Sequence, residues 1–220
     1  YLKHAHEICR KDRRIFISST GFDSLLAFNL DSKKFDWAFH LRKEYDQWSG
    51  SSYDPRDNHG PRAVNDFHIN MVHVDDDGIF LSGLHTNALL YLNPKNKVEV
   101  VCSLPSGTHN PRLWRDGVIL NDTNNNFLRY IPRKGEEQAY KVTTYLESDI
   151  EFAGIDDSKI ARQGFARGLC TIDDRLVAIG SSPSTISLYD IQNKMLVGSV
   201  NLSMDIRNAI HGLELWPFEE

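Results

Sequence analysis

Cysteine is scarce in this 220-residue chain, and the three present, Cys9, Cys102 and Cys170, form no close-spaced pair. That excludes a zinc ribbon and a small disulfide scaffold, and an odd number cannot pair wholly within the chain. Reduced thiols and a cytoplasmic setting are therefore expected. Long apolar runs are missing too: even Gly83 to Leu92 is broken by His85, Thr86 and Asn87, well short of the roughly eighteen residues a spanning helix takes. No membrane partner is expected. Nor is there an excess of positive charge. Lys plus Arg is 25 against 30 for Asp plus Glu, a formal net charge of −5, which gives no drive toward a nucleic-acid backbone. What remains, 40% hydrophobic and 25% charged, is an ordinary globular composition. The first residue is Tyr1 rather than Met, so an N-terminal part of the native protein is expected upstream.

What the chain does have is a repeat. Segments beginning at His6, His68, His109 and Arg167 share one plan: a short apolar strand, a tight acidic turn and a second apolar strand. Asp77-Gly78 and Asp116-Gly117 read as turns that take positive φ. A third strand ends on an aromatic in each copy, at Phe28, Tyr91, Tyr130 and Tyr189, and a fourth follows after a polar turn. Four strands per unit a little over forty residues long is the pattern of a β-propeller blade. The expected fold is all-β, a single propeller domain of four-stranded antiparallel blades at about 6–41, 68–104, 109–146 and 167–202. The inner strand of a further blade is expected at 211–217. The reading is of a five-bladed ring whose last blade a second segment or subunit completes. Two copies carry insertions, 42–67 and 147–166, on the same end of the blades, where long loops are disproportionately functional.

The residue that opens the inner strand is His6, His68, His109, Arg167 and His211 in turn. Equivalent positions on inner strands converge on the mouth of a propeller channel, and neutral imidazoles suit a divalent transition metal better than Ca or Mg. Iron is the first expectation, with copper, manganese or zinc as alternatives. A water-filled funnel or a direct ligand grip by the same histidines are the other readings. Arg167 breaks the pattern; a guanidinium can hold a carboxylate or phosphate bidentately, which points to a small anionic substrate, the alternative being an ion pair with Glu7, Glu214 or Asp122. Glu7 and Glu214 are the candidates for a general base on metal-bound water or for orienting a histidine. His85 and Asp122, in loops between second and third strands, are further substrate-binding candidates. His73 and Trp114 read as packing residues, Cys9 and Cys170 as buried thiols, and His4, His40 and His59 fall outside the aligned position and take no role.

The repeat resembles the general β-propeller class but lacks the Trp-Asp signature of WD repeats and the glycine pair of kelch. In detail it is similar to bacterial propeller families of unknown function. The histidine-per-blade pattern is similar to the four-histidine iron site of carotenoid cleavage oxygenases and to the manganese site of oligogalacturonate lyases, a likeness confined to the histidine spacing. That resemblance implies oxygenase or lyase chemistry at a metal. The alternative is a non-catalytic propeller that binds a small ligand or carbohydrate.

Overall fold

The computed structural model describes residues 1–154 and 162–216. The chain divides into two compact units, Tyr1–Gly107 and Thr108–Glu220.

The first unit holds two antiparallel sheets. One runs in the order β1 (Ala5–Lys11), β2 (Arg14–Ser19), β3 (Ser24–Asn29), β4 (Lys34–Glu44) and β5 (Gln47–Tyr53); the other in the order β6 (Ile69–Val74), β7 (Ile79–Gly83), β8 (Ala88–Leu92) and β9 (Val98–Ser103). Leu25, Ala27, Phe39 and Leu41 of the first sheet and Ile69, Val72, Leu81 and Leu90 of the second form one buried cluster, with Trp37, Trp48 and Phe67 packed against it. The second unit repeats the plan with β10 (Thr108–Trp114), β11 (Gly117–Asp122), β12 (Phe127–Pro132) and β13 (Gln138–Lys141), then β14 (Gly164–Thr171), β15 (Leu176–Ser182), β16 (Thr185–Asp190) and β17 (Met195–Asn201). Its core is rich in aromatics, each with its polar tip satisfied, as burial demands. The Tyr140 hydroxyl donates to Ile191 O at 3.2 Å, Tyr189 to Lys141 O at 2.9 Å, and Trp114 Nε1 to Asp173 O at 3.2 Å.

Four details differ from the sequence expectation. The first insertion is not all loop: Gln47–Tyr53 adds a fifth strand to the first sheet, pairing along β4 from Glu44↔Gln47 to Ala38↔Tyr53. The fourth strand of the third blade is only Gln138–Lys141. In the third hairpin the positive φ falls on Arg115, at 53°, while Gly117 already belongs to β11. Gly117 is needed for space: a Cβ there would lie 2.2 Å from Ile131 O. Finally, residues 211–216 form no strand, and residue 217 lies outside the described residues, so the described chain makes four sheets and not the start of a fifth. Gly212 is packed against β14 so closely that a Cβ on Gly168 would be 3.1 Å from its backbone.

Within each unit neighbouring sheets are clasped by side chains. After the second strand the backbone turns through a left-handed residue, Asp23, Asn87 or Asn126, with φ of 43°, 49° and 59°, a conformation Asp and Asn tolerate. The carbonyls of these residues take the N–H groups of Leu41, Leu104 and Val142 at 2.9, 2.9 and 3.0 Å. The side chains of two of them reach the strand that opens the next blade. Asp23 Oδ2 accepts Asp66 N at 2.7 Å and Phe67 N at 3.1 Å, and Asn126 Oδ1 accepts Phe165 N at 3.1 Å.

Candidate functional site

His6 and His109 share one local device. Thr20 Oγ1 donates to Ile69 O at 2.6 Å and lies 2.8 Å from His6 Nδ1; Thr123 Oγ1 donates to Ala166 O at 2.6 Å and lies 2.9 Å from His109 Nδ1. A carbonyl only accepts, so the hydroxyl proton is committed to it and the oxygen can only accept from the ring. Both rings therefore carry their proton on Nδ1, which leaves Nε2 as the basic nitrogen.

His68 departs from the sequence alignment. Its carbonyl takes the N–H of Leu84, as the carbonyl of His4 takes that of Thr20. By backbone register His68 thus matches His4, and Asn70 stands where the first blade has His6. The cause is the longer β6–β7 hairpin: Val74 pairs with Ile79, across four residues, whereas Lys11 pairs with Arg14 across two. The three imidazoles of the first unit nevertheless gather, His6 and His68 with ring centroids 5.0 Å apart and His68 and His85 6.2 Å apart. His109 and His211 belong to the second unit. Among the described residues no three or more His, Cys, Asp or Glu side chains are grouped so as to hold a metal ion.

In the second unit Arg167 lies flat over the Phe165 ring, 4.1 Å from its centroid, and its NH1 is 3.3 Å from His211 Nε2. Phe165 is buried with φ of 35°, a strained conformation for an aromatic residue that the Asn126 clasp holds. Arg162 packs on the same ring at 5.3 Å, but its guanidinium is spent on Asn126 Oδ1 at 2.8 Å and on the carbonyl of Thr123. Arg167 is different. No carboxylate among the described residues pairs with it, and its Nε is buried without an acceptor. Burial holds its pKa below the usual arginine range.

The carboxylates considered as its partners are placed elsewhere. Asp122, wholly buried, pairs with Arg129 NH2 at 2.7 Å and accepts from Asn125; it is a structural group, not a substrate-binding one. Glu214 is exposed on a segment without regular structure. Its charge acts on Cys170, whose thiol is pushed up first by burial and then by that carboxylate. Glu7 is half-buried in β1, at the bulge between Ala5 and Ile8.

With this geometry in view, comparison with solved structures decides the fold. The chain is similar to the WD40 β-propeller domain of Doa1, with a TM-score of 0.52 at 9% identity over 92% of this chain and 71% of that one. Its repeats are β-propeller blades. A luciferin-regenerating enzyme is matched with a TM-score of 0.51 at 10% identity over 96% of this chain and 79% of that one, and virginiamycin B lyase from Staphylococcus aureus with 0.45 at 13% identity. The chain covers 85% of its own length in that last match and spans 55% of the lyase. No family model and no curated protein matches the chain. Identities this low carry the propeller fold and nothing about activity, and no match supports the comparison with carotenoid oxygenases. No helix among the described residues is long and apolar enough to cross a membrane.

A further recess lies where the sequence assigned no chemistry. A cavity of about 430 Å³ in the first unit is lined by His40, Arg42, Ser51, Tyr53, His59 and Arg62 among others. His40 and Arg42 point to it because both sit on β4 at a spacing of two, and His40 is paired with Ser51 of β5. The signal was available in the insertion, whose alternating polar residues from Gln47 to Tyr53 fit a strand, but its glycine and serines read as loop.

Proposed function

We propose that this propeller binds a small anionic molecule through Arg167, as a ligand-binding rather than a catalytic domain. One observation carries the reading: a half-buried guanidinium held on an aromatic platform, with its Nε buried without an acceptor and no carboxylate paired to it among the described residues. Such a charge is costly to bury alone, and the chain has placed other carboxylates on other arginines. A carboxylate or phosphate group on the bound molecule supplies the missing partner, with two parallel N–H donors toward it.

The test follows the His211 imidazole signals by NMR while inorganic phosphate or acetate is added, and the two arms distinguish the phosphate from the carboxylate. Saturable movement of those signals, abolished in Arg167→Met with Tm lowered by no more than about 2 °C, is the expected result. Signals that do not move with either anion, or that move equally in Arg167→Met, overturn the reading.

A second reading keeps a transition metal, iron first and copper, manganese or zinc otherwise, at His6 and His68. It rests on the 5.0 Å approach of the two rings and on the Thr20 anchor, since liganding imidazoles commonly donate their other N–H to an oxygen. Water would complete the shell. Elemental analysis of protein purified without chelator decides it: about one metal per chain, lost in the His6→Ala, His68→Ala double variant, supports it, and less than about 0.1 per chain sinks it.

A further inference from the structure

The β4–β5 hairpin and residues 59–64 enclose a recess whose composition is unlike the rest of the chain. In a molecule of net charge −5, the lining of this cavity of about 430 Å³ contains two arginines, two histidines, three hydroxyl residues and no carboxylate: Arg42, Arg62, His40, His59, Ser51, Ser52 and Tyr53, with Gly60, Pro61 and Val64. The size falls within the roughly 300 to 1,000 Å³ usual for small-molecule sites.

Its walls are fixed before any ligand arrives. Gly60 N donates to the Tyr1 hydroxyl at 2.6 Å, and a Cβ on Gly60 would lie 2.4 Å from that ring. Tyr1 in turn packs edge-on to Tyr53 at 5.1 Å and to Phe22 at 5.5 Å. Farther along, the Asp23 clasp on Asp66 and Phe67 ties down the end of the same segment. Of the acidic residues nearest in sequence, Asp54 is engaged by Arg56 at 2.7 Å, and Asp57 lies 2.5 Å from Nδ1 of the lining's own His59. Arg56 holds the Asp54 carboxyl at about 2, well below the ordinary carboxylate range.

The two guanidinium groups are the site's charge. Arg42 NH2 donates to Ser51 Oγ at 2.6 Å, and neither it nor Arg62 has a carboxylate partner among the described residues. Beside them His40 is neutral: it donates from Nδ1 to Phe22 O at 3.0 Å, and burial, the largest influence, holds its pKa low. Its second nitrogen is then an acceptor, which is of no use to a bare anion and of direct use to a hydroxyl group. Serine and tyrosine hydroxyls extend that second kind of surface. A lining that combines two positive charges with neutral donors and acceptors fits a molecule that carries both an anionic group and hydroxyl groups.

We propose that this recess is a binding site for a phosphate monoester of a small polyol or sugar, with Arg42 and Arg62 taking the phosphate and His40, Ser51, Ser52 and Tyr53 taking hydroxyl groups. It is independent of the Arg167 reading. Calorimetric titration with glucose 6-phosphate, glucose and inorganic phosphate tests it. Glucose 6-phosphate is expected to bind at least about tenfold more tightly than either of the others, and Arg62→Ala, at an exposed position, to weaken it by about tenfold or more. His40→Phe is expected to weaken glucose 6-phosphate while leaving inorganic phosphate within about twofold. Arg167→Met should bind glucose 6-phosphate as the unaltered protein does. Equal binding of phosphate and glucose 6-phosphate, no effect of Arg62→Ala, or loss of binding in Arg167→Met would each overturn the proposal.

Discussion

Asp23→Ala is expected to cost about 2 to 4 kcal/mol of stability, because it strands two backbone donors that have no other acceptor. The carboxylate is wholly buried at the corner between β2 and β3 and accepts from Asp66 and Phe67, the residues that lead into β6. Alanine is also a poor occupant of a position with φ of 43°. Asp23→Asn, by contrast, is expected to stay within about 1 kcal/mol of the unaltered protein. The chain carries its own control: Asn126 does the same work in the third blade, through a single carbonyl oxygen. The amide also removes a charge whose burial, the largest influence on it, raises the Asp23 pKa. A carboxyl with a raised folded-state pKa favours the folded state as pH falls through that value, and Asp23→Asn removes this dependence. Urea denaturation of the three proteins at neutral and mildly acidic pH measures all of this. A mild Asp23→Ala, or an Asn variant as damaged as Ala, would show that the clasp is not what joins these two blades.

The second large effect is expected at Asp122. Its carboxylate is fully buried, while Arg129 opposite is 25% exposed on its side chain and is also bound to Glu137 at 2.7 Å. Removing one partner of a buried pair leaves the other charge without compensation, at a cost of about 3 to 5 kcal/mol. Arg129→Met is expected to unfold at much lower denaturant concentration, since it leaves the fully buried Asp122 carboxylate with only the neutral Asn125 as donor, and Asp122→Ala to be milder, since the partly solvated guanidinium keeps Glu137. The same experiment separates structure from binding. If Asp122→Ala kept its stability and lost only anion binding, the earlier reading of Asp122 as a substrate residue would return.

The blades were legible in the sequence because strand pairs are local: an apolar run, an acidic turn and another apolar run declare a hairpin without reference to anything distant. Boundaries failed where the deciding contact was remote. Gln47–Tyr53 has little apolar content, and it is a strand because β4 continues to Glu44 and offers it an edge. Residues 211–216 look like an inner strand in the sequence and take no regular structure. The histidines divide the same way. His6 and His109 occupy a real structural repeat, each with its own threonine fourteen residues on, while His68 was misaligned by a hairpin two residues longer than that of the first blade. Arg167 stands out in the sequence as the exception to the histidine pattern, and no carboxylate among the described residues answers its charge. Phe165, two residues before it, was invisible, because a ring becomes a platform only through a backbone angle that the sequence does not display.

The threonine beneath each of these two imidazoles joins it to the carbonyl of another blade, Ile69 in one case and Ala166 in the other. The proton inventory of the ring is thereby written by its neighbour. As long as the two sheets stay in register, the hydroxyl has a carbonyl to point at and the ring keeps its basic nitrogen at Nε2. Were the sheets to part by the width of one hydrogen bond, the hydroxyl would be free to turn and the tautomer free to exchange, so the chemistry these histidines offer is conditional on how closely their blades are stacked.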